Sequence, residues 1–183
     1  IVIGGGPVGS YVACKLAGMG YAVMVLERKQ RVEEPVCCTG IIGQECANSF
    51  TIGNDVILRH VNSASLFSPS ANSLRLWREE TQAYILDRAA LNITMANRAQ
   101  DKGTEYVLDS QAKNIEIDDD RVKVEASRQR GRLNFEARAV VIATGFGSDM
   151  TEKLGLGRAG DFVIGAQAEV ETIGIEEVEV YFG

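Results

Sequence analysis

The chain begins with an apolar segment that runs directly into a glycine-rich turn, and no other feature constrains the fold as strongly. Residues 1–9 read Ile-Val-Ile-Gly-Gly-Gly-Pro-Val-Gly, and a segment with helical spacing follows. In a strand–turn–helix unit, Gly4 permits the tight turn, Gly6 lets a ligand approach the backbone, and Gly9 lets the helix pack closely on the strand. The free N–H groups and positive dipole end of that helix favour a phosphate. The turn is therefore a candidate site for the pyrophosphate of a dinucleotide.

An acidic residue follows the second apolar run at the distance that such a unit requires. Residues 22–26 are continuously apolar, which is typical of a strand buried on both faces, and Glu27 comes directly after them. Its carboxylate can accept both hydroxyl groups of an adenosine ribose, and it would repel a 2′-phosphate. Arg28 is a second candidate contact, for a phosphate or the adenine ring, and a solvated surface charge is its alternative. A plain tight turn and a solvated strand-end acid are the alternative interpretations, which the spacing disfavours.

Composition argues against several function classes. The 183 residues carry a net charge of −6 without a basic block, so we do not expect nucleic acid as a partner. No apolar run approaches the roughly 20 residues that span a bilayer. The 4 cysteines form no paired Cys-x-x-Cys clusters and there is 1 histidine, so we expect no metal site. Unpaired thiols fit a reducing, cytoplasmic compartment.

The order of the remaining predicted elements departs from that of a nicotinamide dehydrogenase domain. We predict helices over residues 8–17 and 88–102, the second with Asp87 as its N-cap, and weak helical character over residues 42–50. The predicted strands are a hairpin (64–67, 74–77), a third parallel strand (105–108), a β-meander (112–117, 121–126, 131–136), a buried strand (139–145) and a second hairpin (162–170, 177–182). The three aspartates at 118–120 are interpreted as a hairpin tip rather than a metal site.

This order resembles the FAD-binding domain of the glutathione-reductase superfamily, in the branch that includes aromatic hydroxylases. Within that branch, the chain is similar to the geranylgeranyl reductase family over essentially its whole length. The segments that carry the resemblance are the Pro-x-x-Cys loop Pro35-Val-Cys-Cys38 with Gly40-Ile41, the segment Tyr84-Ile-Leu-Asp-Arg88, and the strand end Ala143-Thr-Gly145. Leu91-Asn92 stand where the family usually has Phe-Asp.

The resemblance implies a fold and a division into domains. The implied fold is α/β, a Rossmann-like FAD-binding domain of the glutathione-reductase type with a β-meander and an inserted antiparallel β substrate lobe. We expect the FAD-binding domain at residues 1–58 and 84–158, and part of the substrate lobe at residues 59–83 and 159–183. We also expect the chain to be the N-terminal part of a longer protein, with the second glycine–aspartate motif of these flavoproteins beyond it.

The resemblance also implies an activity, FAD-dependent reduction of isolated double bonds in prenyl (geranylgeranyl) chains. FAD is the expected cofactor, and the external reductant, NAD(P)H or ferredoxin, stays open. The expected partner is a prenylated lipid or another apolar small molecule, with a cytoplasmic location that includes peripheral contact with a membrane as one option. An FAD monooxygenase of the same fold and a non-catalytic nucleotide-binding module are the alternatives.

Candidate site residues follow from the motifs and from the resemblance. Cys38 is the candidate catalytic residue, as a thiol that supplies a proton to the double bond or polarises it, and a packed or redox-inert thiol is the alternative. A Cys37–Cys38 disulfide is disfavoured by strain and by a reducing compartment. Trp77 and Phe67 are candidates for an apolar substrate channel or for hairpin packing, and His60 is interpreted as structural. The cofactor-binding candidates are Gly4, Gly6, Pro7, Gly9, Glu27, Arg28, Arg88, Ala112, Ala143, Thr144 and Gly145.

Overall fold

A computed structural model describes residues 1–34, 37–129, 131–146 and 148–183, which fall into two compact units. The first unit comprises Ile1–Pro35 and Leu91–Ile164, and the second comprises Val36–Ala90 and Gly165–Gly183. The predicted boundaries of the FAD-binding domain and the substrate lobe stay a prediction. In chain order the elements are β1 (Val2–Ile3), α1 (Pro7–Gly18), β2 (Met24–Leu26), β3 (Ile41–Gly43), α2 (Gln44–Ser49), a 3-10 helix (Asn54–Val56), β4 (Ile57–Val61), β5 (Ser63–Phe67), β6 (Ser73–Trp77), β7 (Ala83–Leu86), α3 (Arg88–Gln100), β8 (Glu105–Val107), β9 (Gln111–Ile117), β10 (Val122–Arg128), β11 (Gly131–Ala137), β12 (Val141–Ile142), α4 (Met150–Lys153) and β13 (Val178–Tyr181).

A parallel sheet of four strands, in the order β12–β1–β2–β8, forms the centre of the first unit. Val2 of β1 pairs with Val25 of β2 and with Val141 of β12, and all these pairings are parallel. Parallel strands end at a common edge, and ligands of such sheets bind beyond the carboxyl ends. The sheet therefore brings the glycine turn, Glu27 and the residues after β12 to one edge.

Helix α1 packs on one face of this sheet through small side chains. Its buried residues are Gly9, Ser10, Ala13 and Ala17, and the alanines join Val2 and Val25 in one core cluster. Pro7 occupies the start of the helix, where its fixed φ suits the first turn and its missing N–H costs nothing. The predicted helix over residues 8–17 is confirmed.

The β-meander supplies the second core of the first unit. Strands β9, β10 and β11 form an antiparallel sheet, and Asp118 begins the tight turn between the first two by donating its N–H to the Arg121 carbonyl. Val124 and Ile115 cluster with Ile3 of β1, whose side chain points to the face opposite that of Val2. The predicted meander and the third parallel strand are confirmed.

The second unit contains two three-stranded sheets, β3–β7–β4 and β13–β5–β6. The first of these is antiparallel and joins segments that are distant in sequence, as in the pairing of Ile41 with Ile85. The second contains the predicted hairpin, in which β5 and β6 pair from Ser63–Trp77 to Phe67–Ser73. Residues 42–50 divide into the end of β3 and the short helix α2.

Two strand predictions are wrong in part. The second hairpin does not form, because β13 pairs in parallel with β5 and the described residues 162–170 contain no strand. Contacts of β13 with the first hairpin explain the pairing, since Phe67 stacks on Tyr181 with ring centroids 4.6 Å apart. The strand predicted over residues 139–145 is limited to Val141–Ile142. It is half-buried rather than buried, because it lies at the edge of the parallel sheet.

Candidate dinucleotide site and cysteine loop

Close backbone contacts account for two of the three glycines of the Gly-x-Gly-x-x-Gly pattern, which are Gly4, Gly6 and Gly9. Gly4 has a φ of +108°, and a Cβ there would lie 2.3 Å from the Ala143 carbonyl oxygen. A Cβ on Gly9 would lie 1.9 Å from the carbonyl oxygen of Gly4. By contrast, a Cβ on Gly6 would meet no atom within 4 Å. The turn is therefore packed tightly against the residues after β12 and against the start of α1, and it is open at Gly6.

The open side of the turn coincides with the N-terminus of α1. Gly6 is the N-cap residue with extended backbone angles, and no side chain caps the helix. The first turn carries no acidic residue, so the partial positive charge of the helix end is not offset locally. The first N–H groups of a helix have no intrahelical acceptor, and an anion at Gly6 would provide one. A pyrophosphate group fits this geometry.

Glu27 lies at the end of β2 and contacts the glycine turn directly. One carboxylate oxygen, Oε2, accepts the Gly5 N–H at 2.6 Å, and the other accepts the Lys29 N–H at 2.9 Å. The residue is 8% exposed. A carboxylate offers about four acceptor positions, so two remain for ribose hydroxyls. Glu27 is thus a structural residue of the turn as well as a candidate ligand of the cofactor.

A cavity of about 120 Å³ lies at the carboxyl edge of the parallel sheet. Five of the predicted cofactor contacts line it: Gly4, Glu27, Arg28, Ala112 and Thr144. The remaining candidates of the first unit, Gly6, Pro7, Gly9, Ala143 and Gly145, belong to the adjoining turn, to the start of α1 and to the residues after β12. The fold thus brings the first-unit candidates to one region.

A larger cavity of about 750 Å³ lies at the opposite edge of the same sheet. Ile1, Ala22 and Glu105, at the amino ends of the strands, are among the residues that line it. Because ligands of parallel α/β sheets bind beyond the carboxyl ends, the smaller cavity is the candidate cofactor site.

The cysteine loop lies in the second unit. Pro35 and Val36 are outside the described residues, whereas Cys37 and Cys38 are exposed free thiols. The Gly40 N–H donates a hydrogen bond to Cys38 Sγ at 3.4 Å. Gly40 itself has a φ of +72°, and a Cβ there would lie 2.6 Å from the Leu86 carbonyl oxygen. The conformation of the loop after Cys38 therefore depends on a glycine at position 40.

The segment that contains Arg88 packs against this loop within the second unit. The Leu86 N–H donates to the Gly40 carbonyl at 3.0 Å, and Arg88 Cγ lies 3.4 Å from the position of a Cβ on Gly40. Asp87 caps α3 as predicted, since its Oδ1 accepts the Ala90 N–H at 2.9 Å. The Nε of Arg88 is buried and has no hydrogen-bond partner among the described residues. A buried guanidinium donor without a partner fits contact with an anionic group.

Sequence reasoning missed two polar residues that lie behind the glycine turn. The Ser10 hydroxyl donates to the Gly5 carbonyl at 3.1 Å, and the Tyr106 hydroxyl donates to Ser10 Oγ at 2.8 Å. Burial raises the pKa of Tyr106. The two side chains lie on α1 and β8, and no local sequence signal links them.

His60 and Trp77 both lie in the second unit, in different surroundings. His60 packs edge-on against Tyr84 at 5.0 Å between ring centroids. Trp77 is 60% exposed on β6.

Within the described ranges, no group of three His, Cys, Asp or Glu side chains could hold a metal ion. None of the helices there has the length and apolar character that crossing a membrane requires.

Comparison with known families identifies the class of protein. The family model described as FAD dependent oxidoreductase matches residues 66–165, more than half of the chain. The chain belongs to this FAD-dependent oxidoreductase family. FAD is accordingly the cofactor of the family, and the open glycine turn, Glu27 and the adjoining cavity fit the adenosine diphosphate half of FAD.

Two proteins similar to this FAD-dependent oxidoreductase have names that refer to the reduction of geranylgeranyl compounds. The digeranylgeranylglycerophospholipid reductase of Methanosarcina mazei is 28% identical over 146 residues, which cover 78% of this chain and 36% of that protein. The structure of a geranylgeranyl bacteriochlorophyll reductase-like protein from Thermoplasma acidophilum is 25% identical, with a TM-score of 0.72, and the match covers 79% of this chain and 38% of the other. The predicted resemblance to geranylgeranyl reductases is confirmed by these relatives.

The fold is also shared with flavoproteins of other activities. The p-nitrophenol 4-monooxygenase of Pseudomonas putida is 21% identical, with a TM-score of 0.72, and the match covers 84% of this chain and 42% of the other. This likeness concerns the mixed α/β fold alone. In all three comparisons the chain spans less than half of the other protein's length.

Proposed function

We propose that the intact protein is an FAD-dependent oxidoreductase that reduces isolated double bonds in the geranylgeranyl chains of a lipid. The observation that carries the proposal is the position of the open Gly6 turn and Glu27 at one edge of the parallel sheet, in a chain of the FAD-dependent family. The names of the reductases that the chain resembles supply the substrate class.

The first-unit residues would bind the adenosine diphosphate half of the cofactor. The Gly6 turn and the start of α1 would hold the pyrophosphate, Glu27 the ribose hydroxyls, and Thr144 would line the same cavity. We also propose that residues 1–58 and 84–158 form a glutathione-reductase-type FAD-binding domain. Residues 59–83 and 159–183 would form part of a β substrate lobe.

Reducing an alkene requires a hydride on one carbon and a proton on the other. Bound FAD in its reduced form supplies the hydride, whereas the protein supplies binding, orientation and exclusion of water. We assign delivery of the proton to Cys38, an exposed thiol whose sulfur accepts the Gly40 N–H. Arg88, with its unpartnered buried Nε, is the proposed contact for an anionic group of the cofactor.

An apolar sheet face in the second unit supports an apolar substrate. The register of β5, β6 and β13 places six apolar side chains on one face: Ala64, Leu66, Leu74, Leu76, Val178 and Val180. Leu74 and Leu76 are 59% and 49% exposed. Such a face suits a prenyl chain. We propose a prenylated lipid as partner, and a cytoplasmic location with peripheral contact at the membrane that holds this lipid.

A second candidate function is oxygen insertion by an FAD monooxygenase. The P. putida monooxygenase has the same TM-score as the Thermoplasma reductase-like protein, so the fold by itself does not separate the two reactions. Lower sequence identity to the monooxygenase makes it the second choice.

The test compares the intact protein with two cysteine variants under anaerobic conditions. Each is loaded with FAD, reduced with dithionite and mixed with a geranylgeranylated glycerophospholipid, and the loss of double bonds is measured by mass spectrometry. We expect the parent to reduce the lipid and Cys38→Ser to be about a hundredfold slower, since general acids contribute about 10²- to 10⁴-fold. Cys37→Ser, the matched control, should retain the parent rate, and all three should bind FAD.

Two results would count against these assignments. Equal rates for the parent and Cys38→Ser would remove Cys38 from the reaction. A parent that leaves the lipid unchanged, and consumes oxygen when given an aromatic substrate, would identify the monooxygenase.

A further inference from the structure

The peptide groups of Gly5 are held from two sides by buried polar side chains. Glu27 accepts the Gly5 N–H at 2.6 Å, and the Ser10 hydroxyl donates to the Gly5 carbonyl at 3.1 Å. Tyr106 in turn donates to Ser10 Oγ at 2.8 Å. Ser10 is 0% exposed, and the Tyr106 ring packs with the core cluster that contains Val2 and Val25. The three side chains therefore fix the rotation of the peptide units on both sides of Gly5.

The orientation of the Gly5 carbonyl determines where the next N–H points. No described peptide bond is cis, and in a trans peptide the carbonyl and the following N–H point in opposite directions. Because the Gly5 carbonyl points to the buried Ser10, the Gly6 N–H is directed away from the core. Among the described residues this N–H has no acceptor, and Gly6 lies at the open side of the turn.

We infer that Ser10 and Tyr106 are positioning residues for pyrophosphate binding, which act by holding the Gly6 N–H towards the ligand. The inference rests on the proposed function, because it takes the Gly6 turn as the pyrophosphate site. The Tyr106 hydroxyl stays protonated across the neutral pH range and can donate its hydrogen bond there, because burial raises its pKa. Ser10 connects Tyr106 to the Gly5 carbonyl, because a serine hydroxyl can donate to one group while it accepts from another.

Removing the tyrosine hydroxyl alone gives the sharpest test. Tyr106→Phe keeps the ring in the core and leaves Ser10 without its donor, and Ser10→Ala removes the contact with the Gly5 carbonyl. Tyr21→Phe is the matched control, because Tyr21 is exposed and lines the cavity at the opposite edge of the sheet. Affinities of the intact protein, freed of its flavin, are measured by calorimetry for FAD, ADP and adenosine, along with the melting temperature of each variant.

We expect Tyr106→Phe to bind ADP and FAD about three- to tenfold more weakly, on the scale of one hydrogen bond, with adenosine affinity unchanged. Ser10→Ala should lose at least as much ADP affinity, and the double variant no more than Ser10→Ala. The Tyr21→Phe control should match the parent for all three ligands.

Some results would overturn this inference, and a different result would refute the proposed function. ADP affinity equal to the parent in Tyr106→Phe, or equal losses for ADP and adenosine, would overturn the inference, since a merely structural role weakens both ligands alike. Additive losses in the double variant would show that Tyr106 does not act through Ser10. A parent protein that binds neither FAD nor ADP would instead refute the proposed function.

Discussion

Glu27 holds the glycine turn through its carboxylate, and we propose that the same carboxylate binds the cofactor. Its carboxylate is 8% exposed and accepts one backbone N–H from the turn and one from the segment after β2. Either bond on its own would make Glu27 a structural residue. The acceptor positions that remain allow ribose hydroxyls to bind at the same carboxylate.

We therefore expect Glu27→Ala to change two quantities. FAD affinity should fall roughly ten- to a hundredfold, because hydrogen bonds to a charged group contribute about 1.5–3 kcal/mol. The free energy of unfolding should fall by about 1–3 kcal/mol, because the buried Gly5 N–H loses its acceptor. Flavin fluorescence titration and urea unfolding measure the two effects.

The matched control is Glu105→Ala, an exposed acid at the amino end of β8, which should leave both quantities unchanged. An unchanged FAD affinity in Glu27→Ala, together with lower stability, would restrict Glu27 to its structural role.

Among the elements, the start of α1 contains two glycines with different expected roles: we expect Gly9 to be needed for folding and Gly6 for cofactor binding. Gly9→Ala should cost at least about 2 kcal/mol of unfolding free energy, because its Cβ would lie 1.9 Å from the Gly4 carbonyl oxygen. Gly6→Ala should change stability by less than about 1 kcal/mol, since alanine tolerates its φ of −71° and nothing lies near its Cβ. We expect it to weaken FAD binding at least about tenfold, by crowding the pyrophosphate.

Gly18→Ala provides the control, because Gly18 is exposed at the end of the same helix with no atom within 4 Å of its Cβ position. It should retain FAD affinity and unfold at or above the parent midpoint. Parent-like FAD affinity in Gly6→Ala would place the pyrophosphate elsewhere.

The docking of β13 on the first hairpin should depend on pH. Hydrogen bonds from the Ser63 and Ser65 hydroxyls, with Arg75 beside them, lower the pKa of Glu177 from its usual 4.5 to about 2. A lowered folded-state pKa means that this stabilisation is complete above about pH 4.5 and is lost as the pH falls towards 2. The single tryptophan, Trp77, lies on β6 of the same sheet and reports the change.

We expect Trp77 fluorescence of the parent to show an acid transition below pH 4.5 that Glu177→Gln has lost, because glutamine does not titrate. Glu176→Gln, the neighbouring residue, should follow the parent curve. Identical curves for the parent and Glu177→Gln would show that the carboxylate does not hold β13.

Elements whose signals are local could be predicted from the sequence, and those that depend on distant partners could not. The glycine turn, the Asp87 cap and the meander follow from adjacent residues. The sequence does not predict strands β3, β4 and β7, because they are short and pair across long separations, such as Ile41 with Ile85. The contact of Tyr106 with Ser10 was missed for the same reason, since 96 residues separate the two.

In the molecule as a whole, each of the two units contains some of the predicted site residues. The first holds the glycine turn and Glu27 at the carboxyl edge of a parallel sheet whose two faces are covered by α1 and the meander. The second holds the Cys38 loop, packed against the Arg88 segment through Gly40. The chain covers 36% of the M. mazei reductase, so tests of the activity require the intact protein.

Reduction of a prenyl double bond by the bound flavin is tested by a single turnover of the intact, FAD-loaded protein. The bound flavin is reduced anaerobically with one equivalent of dithionite and mixed with a geranylgeranylated glycerophospholipid, while the absorbance of oxidised flavin is recorded and the double bonds of the lipid are counted. We predict that oxidised flavin returns without oxygen and that one double bond is lost for each flavin reoxidised. Flavin that stays reduced until oxygen is admitted, with every double bond intact, would show that the protein does not reduce the prenyl chain.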